Sequence, residues 1–224
     1  MIKQALIGLA VSALAASAAF GASNNIGATL SKDNRITSIP NGSGHYVAPP
    51  AHDPKAKEIF SNVGVLYPKG LYFCCYGNTI SGTDSVIGAQ YWVAEEFIPA
   101  NDAKLTEIDV GVGYVTGTNQ VTIDLYDDNG GAPGNLIKKN TVTGLGTFGA
   151  CCTLAVAKVK GVKVTAGTPY WVAVTTEDAN DTWDAWNFNS TNQIDPQPIA
   201  VNDGAGWVAA GGEVPAPSFA VYGK

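Results

Sequence analysis

The stretch from Leu105 to Asp127, LTEIDVGVGYVTGTNQVTIDLYD, decides the fold class of this chain. In each half, an apolar side chain stands at every second position, with polar residues or glycine between them. Such alternation indicates two β-strands, each with one face on a core. If Gly117-Thr118 is a two-residue type II′ turn, the halves form a hairpin in which Val112 faces Ile123. This register sets every inward residue opposite another inward residue.

The composition of the whole chain is also typical of an all-β protein. Val, Thr, Tyr and Trp are plentiful among the 224 residues, 26 Gly and 12 Pro interrupt them, and long helical patterns are missing. Runs with strand periodicity alternate with turn residues and predict about ten short strands. We therefore expect an antiparallel β-sandwich of the jelly-roll kind.

The chain divides into three parts. Residues 1–22 have a lysine followed by a short apolar run and small residues, the pattern of a secretory signal peptide. Residues 23–55 contain Asn, Ser, Gly and Pro without apolar periodicity, which indicates a flexible linker. Residues 56–224 form a single β-sandwich domain. We expect a secreted, periplasmic or cell-surface protein with no membrane span in its mature form.

Charge and histidine content exclude several function classes. The formal net charge is −6 and the single arginine is Arg35, so we expect no nucleic-acid partner. The lysines at positions 158, 160 and 163 are interpreted as the solvated side of a strand. Both histidines, His45 and His52, lie in the predicted linker. A Ser-His-Asp triad and histidine-based zinc or copper sites are therefore not expected in the folded body.

The four cysteines occur as two doublets, Cys74-Cys75 and Cys151-Cys152. In an exported protein, disulfides are expected. A bridge within a doublet is strained, because adjacent Cα atoms lie ~3.8 Å apart and disulfides prefer roughly 4.4–6.8 Å. A bridge between the doublets avoids this strain, and both alternatives stay open. A structural role is favoured over a redox role, because few cations stand nearby to activate a thiol.

One acidic stretch, TEDANDTWD at residues 176–184, is a candidate metal site. Asp178, Asp181 and Asp184 provide the hard oxygen ligands that Ca²⁺ prefers. The spacing matches no defined calcium loop, and the alternative is an acidic solvated loop. No cofactor is predicted beyond this structural Ca²⁺.

Two tryptophans beside the acidic stretch form the candidate ligand site. Trp183 and Trp186 flank Asp184, and Asn187 follows. An indole can stack on the apolar face of a sugar while carboxylate and amide groups bind its hydroxyls. These four residues are therefore the predicted ligand-binding set, and the ligand would be an extracellular glycan. The alternative is that both indoles pack in the core or at its rim.

Several runs of the sequence resemble the exported bacterial modules called choice-of-anchor domains, in particular type R. They are IFSN from Ile59, VTIDLYDDNGGAPG from Val121, GLGTFGACC from Gly144 and PYWV from Pro169. The resemblance implies a β-sandwich that is joined to varied C-terminal sorting segments, and it carries no established catalytic residues. No such segment is recognised in this chain, so the resemblance does not extend to covalent surface attachment.

These observations predict an exported, non-catalytic β-sandwich that binds surface or extracellular glycan or serves in envelope adhesion. A first alternative is a glycan hydrolase that uses carboxylates alone, since such enzymes need only two. A second alternative is a purely structural envelope or matrix protein. An exposed aromatic platform would favour binding, and two carboxylates facing each other across a cleft would favour the enzyme. The sequence predicts no oligomeric state.

Overall fold

A computed structural model describes residues 28–38, 54–64, 70–150, 153–190, 198–210 and 216–224, without the side chain of Cys74. Within these ranges the protein is all-β, and its sheets are antiparallel. No helix of the described residues is long and apolar enough to cross a membrane. The sixteen strands in these ranges are β1 (Ala28–Leu30), β2 (Arg35–Ser38), β3 (Lys57–Ser61), β4 (Tyr72–Ser81), β5 (Trp92–Phe97), β6 (Ala103–Val110), β7 (Val112–Thr116), β8 (Gln120–Asp128), β9 (Pro133–Thr143), β10 (Ala155–Lys158), β11 (Lys163–Val164), β12 (Tyr170–Thr175), β13 (Trp183–Asn189), β14 (Ile199–Asn202), β15 (Trp207–Ala210) and β16 (Phe219–Gly223).

The strands form three sheets. The first has the order β1-β2-β4-β13-β7, and the second has the order β10-β6-β16-β3 with β11 also paired to β6. The third has six strands in the order β15-β14-β5-β12-β8-β9. This arrangement is consistent with the expected β-sandwich, and the jelly-roll strand order stays a prediction. The expected count of about ten strands is too low, because β1 and β2 lie in the predicted linker and the change of sheet at Gly111 divides one predicted strand into β6 and β7.

The first two sheets meet at Gly111, where the chain passes from β6 to β7. The Gly111 N–H donates to the Ser218 carbonyl, and the Gly111 carbonyl accepts from the Asn187 N–H, each at 2.9 Å. Gly111 has no side chain to meet Ser218 and Tyr72, which lie where a Cβ would point. The two sheets therefore adjoin through backbone hydrogen bonds and turn their apolar faces to a common core.

Apolar side chains from all three sheets share this core. Its fully buried members include Trp186 of the first sheet, Phe219 of the second and Val172 of the third. Phe60 stacks on Phe219 with ring centroids 4.7 Å apart. Burial of each large apolar side chain contributes about 1.5–3 kcal/mol, which makes this core the main source of stability.

The two strands of the predicted hairpin do not pair with each other, but their apolar side chains are buried as predicted. Val112 and Ile123 are both buried in the common core. However, β7 pairs with β13, whereas β8 pairs with β12 and β9 in another sheet. The turn after β7 therefore carries the chain from one sheet to another, with Gly117 at a φ of 87°. Two strands on opposite sides of a core show the same alternation as two neighbouring strands, so periodicity alone cannot distinguish them.

The predicted linker is wrong for residues 28–38. Strands β1 and β2 pair with each other, β2 pairs with β4, and Ile36 is fully buried. A short polar segment that cannot fold alone can still bind to the open edge of an existing sheet, which supplies its backbone hydrogen bonds. His45, His52 and residues 1–22 lie outside the described residues.

Candidate functional site

The predicted ligand-binding tryptophans do not form an open platform. Trp186 is fully buried, its ring lies 6.2 Å from that of Phe219, and its indole N–H donates to the Ser218 carbonyl at 2.9 Å. Trp183 is half-buried and packs against a small cluster that includes Val115 and Ala185. A bulge in β13 separates Trp183 from Asp184. Trp186 therefore has no free face for a sugar, and the packing alternative holds for this residue.

Asp184 and Asn187 are also buried and bind the backbone of neighbouring strands. Asp184 Oδ1 accepts from the Val115 N–H at 3.2 Å, and Asn187 Nδ2 donates to the Gly111 carbonyl at 2.7 Å. Burial raises the pKa of Asp184 well above its ordinary value. The predicted set of Trp183, Trp186, Asp184 and Asn187 is therefore not brought together at the surface. Trp186 and Asn187 stabilise the junction between the first two sheets instead, whereas Asp184 binds β7 within the first sheet.

The three aspartates predicted to bind calcium point to separate partners. Asp178 accepts from Lys139 at 2.8 Å and from Thr141 at 2.9 Å, and Asp181 accepts from Thr118 at 3.0 Å. Asp184 is buried among the strands. No group of three or more His, Cys, Asp or Glu residues in the described ranges is arranged to hold a metal ion. The described residues therefore do not bring the three aspartates together around one ion, and calcium binding stays a prediction.

The cysteine doublets lie on segments that the structure brings together. Tyr72 Oη donates to the Thr153 carbonyl at 2.8 Å and accepts from the Thr153 N–H at 2.9 Å. Cys75 has a free thiol, with Sγ 3.9 Å from the Gly149 carbonyl, so the expected disulfides do not include this residue. The Cys74 side chain and the Cys151-Cys152 doublet lie outside the described residues. A bridge between the doublets stays a prediction.

A different group of aromatic and carboxyl side chains lies on the outer face of the six-stranded sheet. Strand alternation turns Val172 of β12 to the common core and the two residues beside it to the opposite side. The same alternation in β5, β8, β14 and β15 completes this surface. We call it the outer aromatic face, and its residues are Trp92, Ala94, Glu96, Thr122, Asp124, Tyr126, Trp171, Ala173, Thr175, Ala200 and Trp207.

The outer aromatic face is concave. Trp207 of β15 and Tyr126 of β8 have ring centroids 5.9 Å apart. In a flat sheet these strands would lie four spacings apart, roughly 19 Å, which is too far for the two rings to meet. The sheet must therefore curl around the small side chains of Ala94 and Ala173, which are fully buried. Trp207 remains half-buried and packs against this floor.

Hydrogen bonds hold two other indoles of this face in place. The Trp171 N–H donates to Asp128 Oδ1 at 2.9 Å, and the Trp92 N–H donates to Thr176 Oγ1 at 2.9 Å. A buried or half-buried indole with a satisfied N–H has a fixed orientation. The face is therefore a preformed arrangement of rings and does not depend on a ligand to order it.

Asp124 is a fully buried carboxyl group of this face. Its Oδ2 accepts from Thr175 Oγ1 at 3.3 Å, and its Oδ1 is buried without a hydrogen-bond partner among the described residues. Burial and, next, the charge of Glu177 raise the pKa of Asp124 to about 7. Lys139 binds Glu177 at 2.9 Å beside it. Near neutral pH the Asp124 carboxyl can thus donate or accept a hydrogen bond.

Sequence reasoning did not select Asp124 or Trp207 as candidate site residues. In the structure Trp92, Ala94 and Glu96 of β5 share one face of the sheet. The missing information was the strand order, which brings β15 and β8 to opposite ends of one curved sheet.

No protein-family model matches the chain, and comparison with curated proteins finds no similar sequence. The resemblance to choice-of-anchor domains stays a prediction that depends on the sequence runs quoted above.

Proposed function

We propose that this protein is an exported, non-catalytic β-sandwich module that binds extracellular glycan through the outer aromatic face. The observation that carries the proposal is the half-buried indole of Trp207 beside Tyr126 on a concave sheet that also holds Asp124. An aromatic ring that is partly exposed suits the apolar face of a sugar. Export to the periplasm, the cell surface or the medium is part of the proposal and depends on the leader sequence.

Binding is favoured over catalysis by the state of the carboxylates. A glycosidase needs two carboxyl groups that flank the scissile bond. Asp124 is fully buried, and both Glu177 and Asp178 are bound by Lys139, at 2.9 and 2.8 Å. The three carboxyl groups are thus engaged within the protein itself. This favours a structural role for them over a direct role in hydrolysis.

One observation supports a carboxylate-only glycan hydrolase as the second candidate. The pKa of Asp124 is raised to about 7, in part by the negative charge of Glu177. A protonated and an ionised carboxyl group with separated pKa values are the acid and base that glycoside hydrolysis requires. In this candidate Asp124 would be the general acid, and a substrate would have to displace the neighbouring Lys139.

A comparison of two tryptophan variants tests the proposal. Trp207→Ala removes the indole from the outer aromatic face, and Trp183→Ala removes a half-buried indole from another sheet as the matched control. Each protein is incubated with insoluble cellulose, chitin, xylan and peptidoglycan, and the bound fraction and the released reducing ends are measured. We expect retention of the wild type on at least one polymer, about tenfold weaker retention of Trp207→Ala, and little change for Trp183→Ala.

Other outcomes decide between the alternatives. Released reducing ends that disappear in Asp124→Asn would replace the binding proposal with the hydrolase. No retention of the wild type on any polymer would leave the structural envelope or matrix role. Equal losses for both tryptophan variants would place the contact elsewhere and reject the outer aromatic face.

A further inference from the structure

An open cavity with a lysine-rich lining lies at one end of the second sheet, away from the outer aromatic face. Its volume is about 670 Å³, and Lys104, Lys158, Lys160 and Lys224 contribute to its wall. The chain as a whole has a formal net charge of −6. The cavity therefore concentrates positive charge on a protein that is otherwise acidic.

Strand pairing sets three lysines in a row. Lys104 of β6 is the direct cross-strand partner of Lys163 in β11. On its other side, Lys104 and Lys224 donate backbone N–H groups to each other's carbonyl, at 2.8 and 2.9 Å. Directly paired residues project from the same face of a sheet, so the three side chains are neighbours. In the sequence only the lysines at positions 158, 160 and 163 lie close together. Strand pairing brings Lys104 and Lys224 next to them.

In the absence of a ligand, this row of lysines lowers the stability of the protein. Like charges at directly opposite positions destabilise a sheet. Lys158 forms an ion pair with the buried carboxylate of Glu107. Lys104, Lys160 and Lys163 are exposed, and none of them has a carboxylate within 4 Å among the described residues. An anionic ligand would neutralise the charges that the protein leaves uncompensated.

We propose that the lysine cavity binds an acidic polysaccharide, whose carboxylate or sulfate groups pair with Lys104 and Lys160 of the lining and with Lys163, the cross-strand neighbour of Lys104. The cavity volume lies within the range of ligand sites in proteins, about 300–1,000 Å³. The lysines are separate point charges on flexible stems, and this suits charges repeated along a polymer better than one planar anion held by a fork of arginine donors.

The lining argues against two other polyanionic partners. No aromatic side chain lines the cavity, so the stacking platform of a single-strand nucleic-acid site is missing there. The lining contains no exposed large apolar side chain that would insert into a lipid surface. The proposal does not depend on glycan binding at the outer aromatic face.

Charge-neutral variants test the cavity. Lys104→Gln/Lys163→Gln removes two charges from the row, and Lys32→Gln/Lys138→Gln removes two charges from other strands and turns as the matched control. The probes are polygalacturonate, dextran sulfate, neutral dextran and duplex DNA, at low and high salt. We expect the wild type to bind at least one acidic polysaccharide, with an affinity that falls as salt rises, and to ignore neutral dextran. The cavity variant should bind about tenfold more weakly, and the control should change less than about twofold.

The variant is not expected to unfold, because it removes repulsion between like charges. Its melting temperature at low salt should equal or exceed that of the wild type. No binding of either acidic polysaccharide by the wild type, or equal weakening in both double variants, would overturn the proposal. DNA binding as tight as polysaccharide binding, with the same loss in the cavity variant, would overturn it in favour of a nucleic-acid site.

Discussion

Asp184 Oδ1 accepts a hydrogen bond from the Val115 N–H at 3.2 Å, at the point where β13 bulges against β7. The second carboxyl oxygen of Asp184 is buried and has no hydrogen-bond partner among the described residues. Burial without a counter-charge favours the protonated acid, and this raises its pKa well above the ordinary value of 3.8.

Asp184→Asn should therefore flatten the pH dependence of stability. An acid with a raised pKa in the folded state contributes stability that is fully present below its unfolded pKa and is lost as the pH rises through the folded pKa. The wild type should lose free energy of unfolding from about pH 4 upward, and the variant should lose less. Urea denaturation from pH 4 to 9 measures the difference. Parallel curves for the two proteins would contradict the buried, protonated state.

Asp124 should produce a second effect of pH on the free energy of unfolding, and this effect should end near pH 7. Its pKa is raised to about 7, so its contribution to stability should fall between about pH 4 and pH 7, by up to roughly 4 kcal/mol. Asp124→Asn should remove this loss and be relatively most stabilised above pH 7. The same urea series detects it. Lys139→Gln provides an internal check, because loss of the Lys139 charge should raise the pKa of Asp124 further.

Trp186→Ala should destabilise the protein by about 3–5 kcal/mol, since it removes a fully buried indole from the common core. Thermal and urea unfolding measure the loss. Trp183→Ala should cost clearly less, because Trp183 is half-buried. A stable Trp186→Ala protein that had lost glycan retention would restore the surface role that the sequence predicted.

Gly117→Ala should destabilise the protein more than Gly167→Ala. Both glycines have a positive φ, 87° and 71°, which costs a residue with a Cβ about 1–2 kcal/mol. A Cβ on Gly117 would also collide with the Asp181 carbonyl, whereas a Cβ on Gly167 meets no atom within 4 Å. The difference in midpoint of urea unfolding isolates the collision. Equal losses would show that the turn after β7 is not packed against the loop before β13.

The sequence predicted the core faces of the strands far better than it predicted their neighbours. Ile108 and Val110, like Val121 and Ile123, are buried as the alternation indicates. Alternation records which side of a strand meets the core, but pairing is decided by strands from distant parts of the chain. Asp184 shows why the candidate site could not be predicted in the same way. The run of acidic residues in the sequence does not reveal that Asp184 is buried in the sheet, where β13 lies between β4 and β7.

The candidate surfaces were hidden from the sequence for the same reason. Trp207 and Tyr126 meet only because β15 and β8 belong to one curved sheet. Lys104 joins Lys163 only because β11 pairs with β6. The sequence did indicate the exposure of the lysine group at positions 158–163, since its alternation with apolar residues is that of a strand with one solvated side.

The strand order has a consequence for how the protein is made. In each sheet a late strand lies between two earlier ones: β13 between β4 and β7, β16 between β6 and β3, and β12 between β5 and β8. Each sheet therefore stays incomplete while only the first half of the chain has been synthesised. Until the later strands are made, the early strands have unpaired edges, which are prone to aggregation. Folding that depends on pairing between such distant parts of the chain is also slow. That delay would keep the nascent chain unfolded for longer, which is a condition that the proposed export would require.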